Sequence, residues 1–432
     1  MEAIAPSGTA PRSLLQCLAE IAAQRVDAEA LVFLPEGEPA GAISRTLPQL
    51  QISARRLAAV MRRQADAGAR VLLLLPPGPD FFAAVWGSLL AGMVMVPAAL
   101  PRLAPQVAFT KRILEDCGAE LILTDAATLP LLRAALPEVP DSAWILLEQD
   151  LESQEIPAAD FAEPHADTPA LLQYTSGSTG QPKGVVVTHG NLAASLELML
   201  SVADIDLDST VVSWLPLFHN MGFICFGLAP LCVGARLVLM PTESFMANPS
   251  RWFRALSHYR GTHSGAPNIG YETCLNFLPD ALLDMLDLSA WRMAAIGSEP
   301  LKAALIDRFA ERFARCGFRS ETFLTTYGFS EATVFSAGAE CHSRVPRLAV
   351  DKNDFEAGEI RVPHSVETTK TLISVGRARE HVAIVDPDTR ERRGDRALGE
   401  IWISGGTVAA GYWNQPAISA QTFGLFTLDG AG

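Results

Sequence analysis

Short apolar runs alternate with amphipathic stretches along the first 147 residues. Apolar positions at helical spacing predict helices, and near-continuous apolar runs are typical of parallel strands buried on both faces. The predicted helices lie at residues 13–25, 50–67, 80–90, 107–117 and 129–135, and the predicted strands at 70–75, 93–96, 121–124 and 143–147. Regular alternation of strands and helices at these lengths predicts a doubly wound α/β subdomain.

The same alternation returns after residue 190. Strands are predicted at 211–214, 293–296 and 323–326, and helices at 191–199 and 252–259. Beyond about residue 338 the pattern changes to short strands and polar turns, at 373–375, 382–385 and 400–404. We therefore predict two doubly wound α/β subdomains, at 1–190 and 191–337, and a smaller β-barrel-like subdomain at 338–432.

Composition narrows the class of protein. The chain has 432 residues, a formal net charge of −14 and a pI near 5.1, which argues against nucleic-acid binding. Its seven cysteines are scattered without a Cys-x-x-Cys pair, so neither a zinc site nor a disulfide framework is indicated. Two uncharged stretches, 81–96 and 211–235, are better explained as buried elements than as membrane spans. The N-terminus lacks a signal pattern, and we expect a cytoplasmic protein with no stable membrane insertion.

A loop rich in glycine and hydroxyl residues lies between two apolar, β-favouring runs. Residues 174–184 read Tyr-Thr-Ser-Gly-Ser-Thr-Gly-Gln-Pro-Lys-Gly. Gly177 and Gly180 allow backbone N–H groups to converge on an anion, and Lys183 supplies a positive charge. The hydroxyl donors are Thr175, Ser176, Ser178 and Thr179. A flexible loop of the same composition is the alternative, but the proline and lysine that end the run favour phosphate binding, with ATP as the predicted ligand.

Further motifs follow in a fixed order along the chain. They are Ser213-Trp214-Leu215-Pro216 running into His219 and Met221-Gly222, Ser264-Gly265-Ala266-Pro267-Asn268, Gly297-Ser298-Glu299-Pro300, Tyr327-Gly328-Phe329-Ser330-Glu331-Ala332-Thr333, and Gly399-Glu400-Ile401-Trp402 through Gly411-Tyr412-Trp413. With loop 174–184, their order and spacing resemble the adenylate-forming superfamily, and within it the fatty acyl-AMP ligases. Segment 338–372 resembles the extra segment that separates these ligases from acyl-CoA synthetases.

The resemblance implies an enzyme that activates a fatty or related carboxylic acid with ATP and Mg²⁺. Such ligases form an acyl-adenylate and pyrophosphate, then pass the acyl group to the phosphopantetheine thiol of an acyl carrier protein in polyketide, lipopeptide or related lipid pathways. Two alternatives stay open at this point. One is an acyl-CoA synthetase, which uses free coenzyme A as the acceptor, and the other is a nucleotide- or acyl-binding domain without catalysis.

The resemblance also implies roles for individual residues. The catalytic residues would be Lys183, His219 and Glu331, with Glu331 as the magnesium ligand. The nucleotide-binding residues would be Thr175, Ser176, Gly177, Ser178, Thr179, Gly180, Lys183, Gly297, Ser298, Glu299, Thr326, Tyr327, Gly328 and Ser330. The acid and its acyl chain would lie against His219, Asn220, Met221, Gly222, Phe226, Ser264, Gly265, Ala266 and Asn268.

Several of these residues have plainer explanations. Glu331 also fits a solvated glutamate at a helix start, Tyr327 a packing tyrosine and His219 a hydrogen-bonded core histidine. The aromatic residues of the expected acyl tunnel fit the hydrophobic core equally well, namely Phe218, Phe223 and Phe226.

Two departures from the family pattern are visible. Most of these ligases carry an aspartate after the histidine, where this chain has Asn220, so a negative charge near the site is missing. The sequence also ends at Gly432, before the segment that would hold the ribose-binding aspartate and the small C-terminal domain with its catalytic lysine. We therefore expect this chain to fold and to bind an acyl-adenylate, but to adenylate slowly.

Overall fold

Two sheets with parallel central strands carry most of the structure. The computed structural model describes residues 13–147, 161, 163–175, 181–376 and 381–428. The helices are α1 (Leu14–Gln24), α2 (Leu47–Gln64), α3 (Pro79–Leu90), α4 (Ala104–Cys117), α5 (Leu129–Ala135), α6 (His189–Ala203), α7 (Ala229–Val233), α8 (Thr242–Ala247), α9 (Ser250–His258), α10 (Asn268–Phe277), α11 (Asp280–Leu283), α12 (Ala303–Phe313), α13 (Lys352–Glu356) and α14 (Pro416–Thr422). The strands are β1 (Glu29–Phe33), β2 (Ile43–Thr46), β3 (Arg70–Leu73), β4 (Val94–Pro97), β5 (Leu121–Thr124), β6 (Trp144–Leu146), β7 (Pro169–Thr175), β8 (Lys183–Thr188), β9 (Thr210–Ser213), β10 (Arg236–Leu239), β11 (His263–Ala266), β12 (Met293–Ile296), β13 (Phe323–Tyr327), β14 (Ala337–Gly338), β15 (Arg347–Asp351), β16 (Thr369–Ile373), β17 (Val382–Val385), β18 (Glu400–Ile403) and β19 (Gly411–Tyr412).

Side-chain caps fix where several helices begin. Ser13 and Thr46 accept backbone N–H groups at the starts of α1 and α2, and Thr188 does the same at α6. The Asn191 side chain accepts the Thr188 N–H at 3.0 Å, which completes a capping box. Helix α6 therefore begins at His189, before its predicted start at Asn191.

The first sheet has the strand order β19-β8-β7-β4-β3-β5-β6. Strand β3 pairs in parallel with β4 and β5, and β5 pairs in parallel with β6. Leu72, Leu73 and Ile122 in these strands are fully buried, which accounts for the apolar runs in the sequence. The strands predicted at 70–75, 93–96 and 121–124 are confirmed.

The second sheet has the order β14-β13-β12-β11-β9-β10-β1-β2. Neighbouring strands from β13 to β1 are parallel, and the edge strands β2 and β14 are antiparallel to their neighbours. The sequence pattern does not predict β1 and β2. Strand β1 buries only Ala30, Leu31 and Val32, and β2 has no fully buried residue, so neither strand gives a clear periodic signal.

The predicted subdomain boundaries at residues 190 and 337 stay predictions. Sheet pairing crosses both of them, because β1 pairs with β10 and β19 pairs with β8. The region beyond residue 338 is β-rich as expected, and it contains the hairpins β15–β16 and β17–β18. The chain is thus a mixed α/β protein with two sheets whose central strands are parallel, which confirms the predicted fold class.

Both uncharged stretches considered as membrane spans form buried elements. Residues 81–96 make up most of α3 and β4, and residues 211–235 contain part of β9, a π-helical segment at Met221–Leu228, and α7. Within the described residues, no helix is both long and apolar enough to cross a membrane.

An aromatic cluster supports the second sheet near β12 and β13. The ring of Phe309 in α12 makes edge-to-face contacts with Tyr271, Trp291 and Phe323, at centroid distances of 5.0, 6.5 and 5.6 Å. Tyr271 also donates a hydrogen bond to the carbonyl of Ala295 in β12 at 2.8 Å. The cluster therefore ties α10 and α12 to the strands that lead into the predicted site.

Truncation of Phe309 tests this cluster. We expect Phe309→Ala to lower the free energy of unfolding by about 3–5 kcal/mol, because it removes a fully buried ring from a packed core. The matched control is Phe277→Ala, since Phe277 is 73% exposed, and it should change stability by no more than about 0.5 kcal/mol. Urea unfolding of both variants measures the difference, and similar losses would contradict the assigned core.

Candidate functional site

The carboxyl ends of β12 and β13 lie side by side, and the backbone after β12 is held unusually close to β13. A Cβ added at Gly297 would lie only 2.3 Å from Thr326 Oγ1, so the position requires glycine. Ser298 follows with a φ of +68°, a conformation that L-residues rarely adopt. Its hydroxyl contacts Met221 Sδ at 3.5 Å. Because parallel strands present their carboxyl ends at one edge, this edge is a natural ligand site.

A cavity of about 600 Å³ opens at this edge. Its lining includes five residues predicted to bind the nucleotide, Ser298, Glu299, Thr326, Tyr327 and Gly328. Residues 370–373 of β16 form another part of the wall, a contribution that the sequence analysis does not anticipate. The structure therefore brings five of the predicted nucleotide-binding residues together around one cavity.

Glu331 lies in the single turn Ser330–Ala332 that follows β13. Tyr412 donates a hydrogen bond from its hydroxyl to Glu331 Oε1 at 2.6 Å. The ring of Tyr412 also faces Lys183, whose Nζ lies 5.1 Å from the ring centroid, within the range of a cation–π contact. Burial, and then the carboxylate of Glu331, raise the pKa of Tyr412 above its ordinary value, so its hydroxyl keeps its proton at neutral pH.

Of Lys183, Glu331 and Tyr412, Tyr412 is the residue that was not predicted from the sequence to belong to the site. Its only signal in the sequence is its place in the Gly411-Tyr412-Trp413 motif. Strand β19 places it, because Tyr412 pairs with Val185 in β8, two residues after Lys183. One short strand thus joins the predicted phosphate lysine to the predicted metal carboxylate.

The described part of the phosphate loop comprises its two ends. Thr175 at the end of β7 pairs with Lys183 at the start of β8. The predicted residues Ser176, Gly177, Ser178, Thr179 and Gly180 lie outside the described residues.

Tyr174 has a structural role at the base of this loop. Its hydroxyl donates a hydrogen bond to the Asp116 carboxylate at 2.5 Å. A Cβ added at Gly184 would lie only 2.8 Å from its ring, so the tyrosine packs directly on that glycine. Burial raises the pKa of Tyr174 above its ordinary value, and the hydrogen bond to Asp116 adds to the shift.

His219 and Asn220 are neighbours in the segment after β9, but their side chains lie in different surroundings. His219 is exposed, and its Nδ1 accepts the N–H of Met221 at 3.4 Å. The protein around its imidazole still lowers the pKa of His219 by desolvation, which favours the neutral ring at neutral pH. Asn220 is buried and donates through Nδ2 to Ser330 Oγ at 2.9 Å and to the Thr333 carbonyl at 3.0 Å.

The π-helical segment Met221–Leu228 packs directly on β11. A Cβ on Gly222 would lie 2.3 Å from the carbonyl oxygen of Pro216, and a Cβ on Gly265 would lie 2.5 Å from the ring of Phe226. Phe226 and Phe223 are buried, whereas Phe218 is 43% exposed beside a cavity of about 380 Å³. These three phenylalanines fitted either the acyl tunnel or the hydrophobic core in the sequence. In the structure Phe223 and Phe226 pack in the core, and Phe218 lines the cavity.

The predicted acid-site residues of β11 and α10 are buried. Ser264 accepts a hydrogen bond from Trp252 Nε1 at 2.8 Å and donates to the Val212 carbonyl at 2.5 Å, so its hydroxyl already has core partners. Ala266 is fully buried. Asn268 donates to the Pro300 carbonyl at 2.8 Å, while its Oδ1 has no partner among the described residues. Their substrate-binding roles stay predictions.

Gly328 sets the shape of the turn that carries Glu331, which gives a direct test. A Cβ at this position would lie 1.7 Å from the carbonyl oxygen of Val334. We expect Gly328→Ala to displace the turn and to lower the free energy of unfolding by about 1–3 kcal/mol. Gly394→Ala is the control, because nothing lies within 4 Å of its added Cβ. Thermal unfolding of the two variants makes the comparison, and an unchanged Gly328→Ala would mean that the turn is loosely packed.

The chain matches the family described as AMP-binding enzyme over residues 18–413. It is 34% identical over 412 residues to a medium-chain-fatty-acid–[acyl-carrier-protein] ligase of Moorena producens, covering 91% of this chain and 68% of that protein. A ligase of the same description from Teredinibacter turnerae is 38% identical over 288 residues, which are 66% of this chain and 44% of that protein.

A solved structure gives the same picture. The fatty acyl-adenylate ligase of L. pneumophila, in complex with acyl adenylate and pyrophosphate, superposes with a TM-score of 0.86 at 31% identity. The match covers 94% of this chain and 71% of that one. These similarities confirm the resemblance drawn from the motifs, and the chain belongs to the AMP-binding, adenylate-forming enzyme family.

Proposed function

We propose that the protein activates a fatty acid with ATP to an acyl-adenylate and passes the acyl group to the phosphopantetheine thiol of an acyl carrier protein. The observation that carries the proposal is the Lys183–Tyr412–Glu331 contact beside a cavity lined by Tyr327. The lysine proposed for the phosphates, the carboxylate proposed for the metal and the cavity proposed for the nucleoside would thereby lie next to one another. The similarity to ligases whose names include both a fatty acid and a carrier protein supports the choice of substrates.

The nucleoside would lie in the cavity of about 600 Å³ between the backbone after β12 and the ring of Tyr327. Gly297 allows the two strand ends to approach, and its requirement for glycine keeps a side chain out of the space. An aromatic ring on one face and peptide backbone on the other suit a flat purine base.

Activation requires a carboxylate oxygen of the fatty acid to attack the α-phosphorus of ATP. A new bond forms between that oxygen and phosphorus, the bond from phosphorus to the bridging oxygen breaks, and pyrophosphate leaves with the electron pair. Negative charge grows on the departing phosphates, where Lys183 at the start of β8 would stabilise it. The contact with the Tyr412 ring limits where the lysine points.

Glu331 would hold Mg²⁺, and the residues present fit that ion. Mg²⁺ is usually bound by one or two carboxylates together with substrate phosphates and water, so one carboxylate beside the phosphate lysine suffices. Glu331 also lines a second cavity, of about 440 Å³, through which its carboxylate can be reached. Bound Mg²⁺ would neutralise phosphate charge. Tyr412 occupies Glu331 Oε1 and thereby orients the carboxylate.

His219 would bind where the acid and the α-phosphate meet. Because its pKa is lowered, the ring is neutral and offers one N–H donor rather than a fixed charge. It would orient the incoming carboxylate. A cytoplasmic location stays a prediction.

The hairpin β15–β16 is the part of the structure that favours a carrier protein over free coenzyme A. It belongs to segment 338–372, and Arg347 anchors it to α12 through two bonds to Asp307, at 2.7 and 2.6 Å. A hairpin fixed to the large domain in this way would hinder the domain rotation that opens a path for coenzyme A.

Nucleotide binding tests the proposed roles of the two charged residues. Lys183→Ala should weaken ATP binding about tenfold or more while leaving AMP nearly unaffected, because the charge faces the β- and γ-phosphates. Glu331→Gln should remove the increase in ATP affinity caused by Mg²⁺ while the protein stays folded. Calorimetry measures both, with Lys111→Ala and Glu138→Gln as controls from a surface ion pair. Equal loss of ATP and AMP, or unchanged magnesium dependence, would remove these residues from the site.

Acceptor choice tests the function itself. The full-length protein should acylate holo-carrier protein and leave free coenzyme A almost unused. Arg347→Ala should raise the ratio of acyl-CoA to acyl-carrier product, because it loosens the hairpin. Arg344→Ala is the control, since that exposed arginine forms a surface ion pair with Glu321. Efficient acyl-CoA formation by the parent protein would favour the acyl-CoA synthetase alternative.

A further inference from the structure

Asn220 contacts the turn that carries Glu331, although 110 residues separate it from Ser330. It is only 7% exposed and lies at the start of the π-helical segment. Its Nδ2 donates two hydrogen bonds, to Ser330 Oγ at 2.9 Å and to the carbonyl oxygen of Thr333 at 3.0 Å. These acceptors flank Glu331 on both sides along the chain.

The turn itself is in a conformation that needs support. Thr333 has φ +65° and ψ −57°, which is strongly disfavoured for a β-branched residue. Within the turn, the N–H of Thr333 bonds the Ser330 carbonyl at 2.9 Å, and that of Val334 bonds the Ala332 carbonyl at 2.8 Å. Such a conformation persists when surrounding contacts hold it.

Contacts from the opposite side complete the support. The hydroxyl of Thr333 donates to the carbonyl of Thr407 at 2.7 Å, and the N–H of Ala409 donates to the Glu331 carbonyl at 2.9 Å. Asn191 holds this second segment in place by donating to the carbonyls of Gly406 and Val408, both at 2.8 Å. The turn is therefore bonded from residues 407–409 on one side and from Asn220 on the other.

We propose that Asn220 is a positioning residue for magnesium binding, acting through the turn that carries Glu331; the proposal rests on the proposed function. The amide matters because both of its contacts use N–H donors. In this chain, a side chain without a donor at this position would leave the buried Thr333 carbonyl unpaired. The turn would then relax and carry Glu331 away from the phosphates.

Two variants measure this role. Asn220→Leu keeps the approximate size and removes the donors, and Asn220→Ala removes them together with most of the side chain. Each should reduce the increase in ATP affinity caused by Mg²⁺ about tenfold or more, corresponding to one buried acceptor left unpaired. ATP binding without Mg²⁺ should stay within about twofold of the parent, since the nucleoside cavity keeps its residues. If Asn220→Leu does not fold, Asn220→Ala carries the test.

A double-mutant cycle separates positioning from general stability. In the Glu331→Gln background, either change at Asn220 should alter magnesium-dependent affinity by less than about twofold, because the group it positions is already gone. The matched control is Asn414→Asp, which removes an amide donor to the Asp116 carbonyl away from the turn. This control should behave like the parent.

The outcomes are distinct. If the parent binds Mg-ATP and the Asn220 variants do so equally well, the positioning role is wrong while the proposed function stands. Losses that add in full to that of Glu331→Gln, or that appear equally without Mg²⁺, also overturn the role. If the parent shows no magnesium-dependent ATP binding, the proposed function fails first.

Discussion

The hydrogen bond from Tyr412 to Glu331 joins the two sheets at the site. Tyr412 belongs to β19 of the first sheet, and Glu331 follows β13 of the second. Lys183 on β8 contacts the same tyrosine ring. If Lys183 binds phosphate and Glu331 binds the metal, as proposed, the two must lie within one ligand's length of each other, and this tyrosine contacts both. The cavity proposed for the nucleoside lies beside the ends of β12 and β13.

The strands were the most predictable part of the structure because burial on both faces leaves a clear mark in the sequence. Leu121–Thr124 and Met293–Ile296 have the predicted bounds, and every residue in them is buried. Strands β1 and β2 left no such mark, since β1 buries only its three central residues and β2 has no fully buried residue. The pairing of β1 with β10 depends on contacts about two hundred residues away in sequence, which no local pattern encodes.

The candidate site likewise contains residues that the sequence predicts and residues that it does not. Ser298 and Tyr327, both predicted from motifs, line one cavity because parallel strands end at a common edge, and Glu331 lies in the turn that follows β13. The contact between Tyr412 and Glu331 spans 81 residues and depends on a two-residue strand. The motif that contains Tyr412 was therefore the only sequence feature that pointed to this contact. Ser264 shows that membership in a motif does not by itself place a residue in the site. Its hydroxyl already bonds Trp252 and the Val212 carbonyl in the core.

Hydrogen exchange with a stable acyl-adenylate analogue tests the central claim most directly, namely that one adenylate site lies between the two strand ends and the Lys183–Tyr412–Glu331 contact. On binding, amides at 297–301, 326–331 and 370–375 should exchange more slowly, since these segments line the nucleoside cavity or carry Glu331. Amides of α5, far along the first sheet, should be unchanged. Tight binding that protects other segments and leaves 297–301 and 326–331 unaffected would contradict the account.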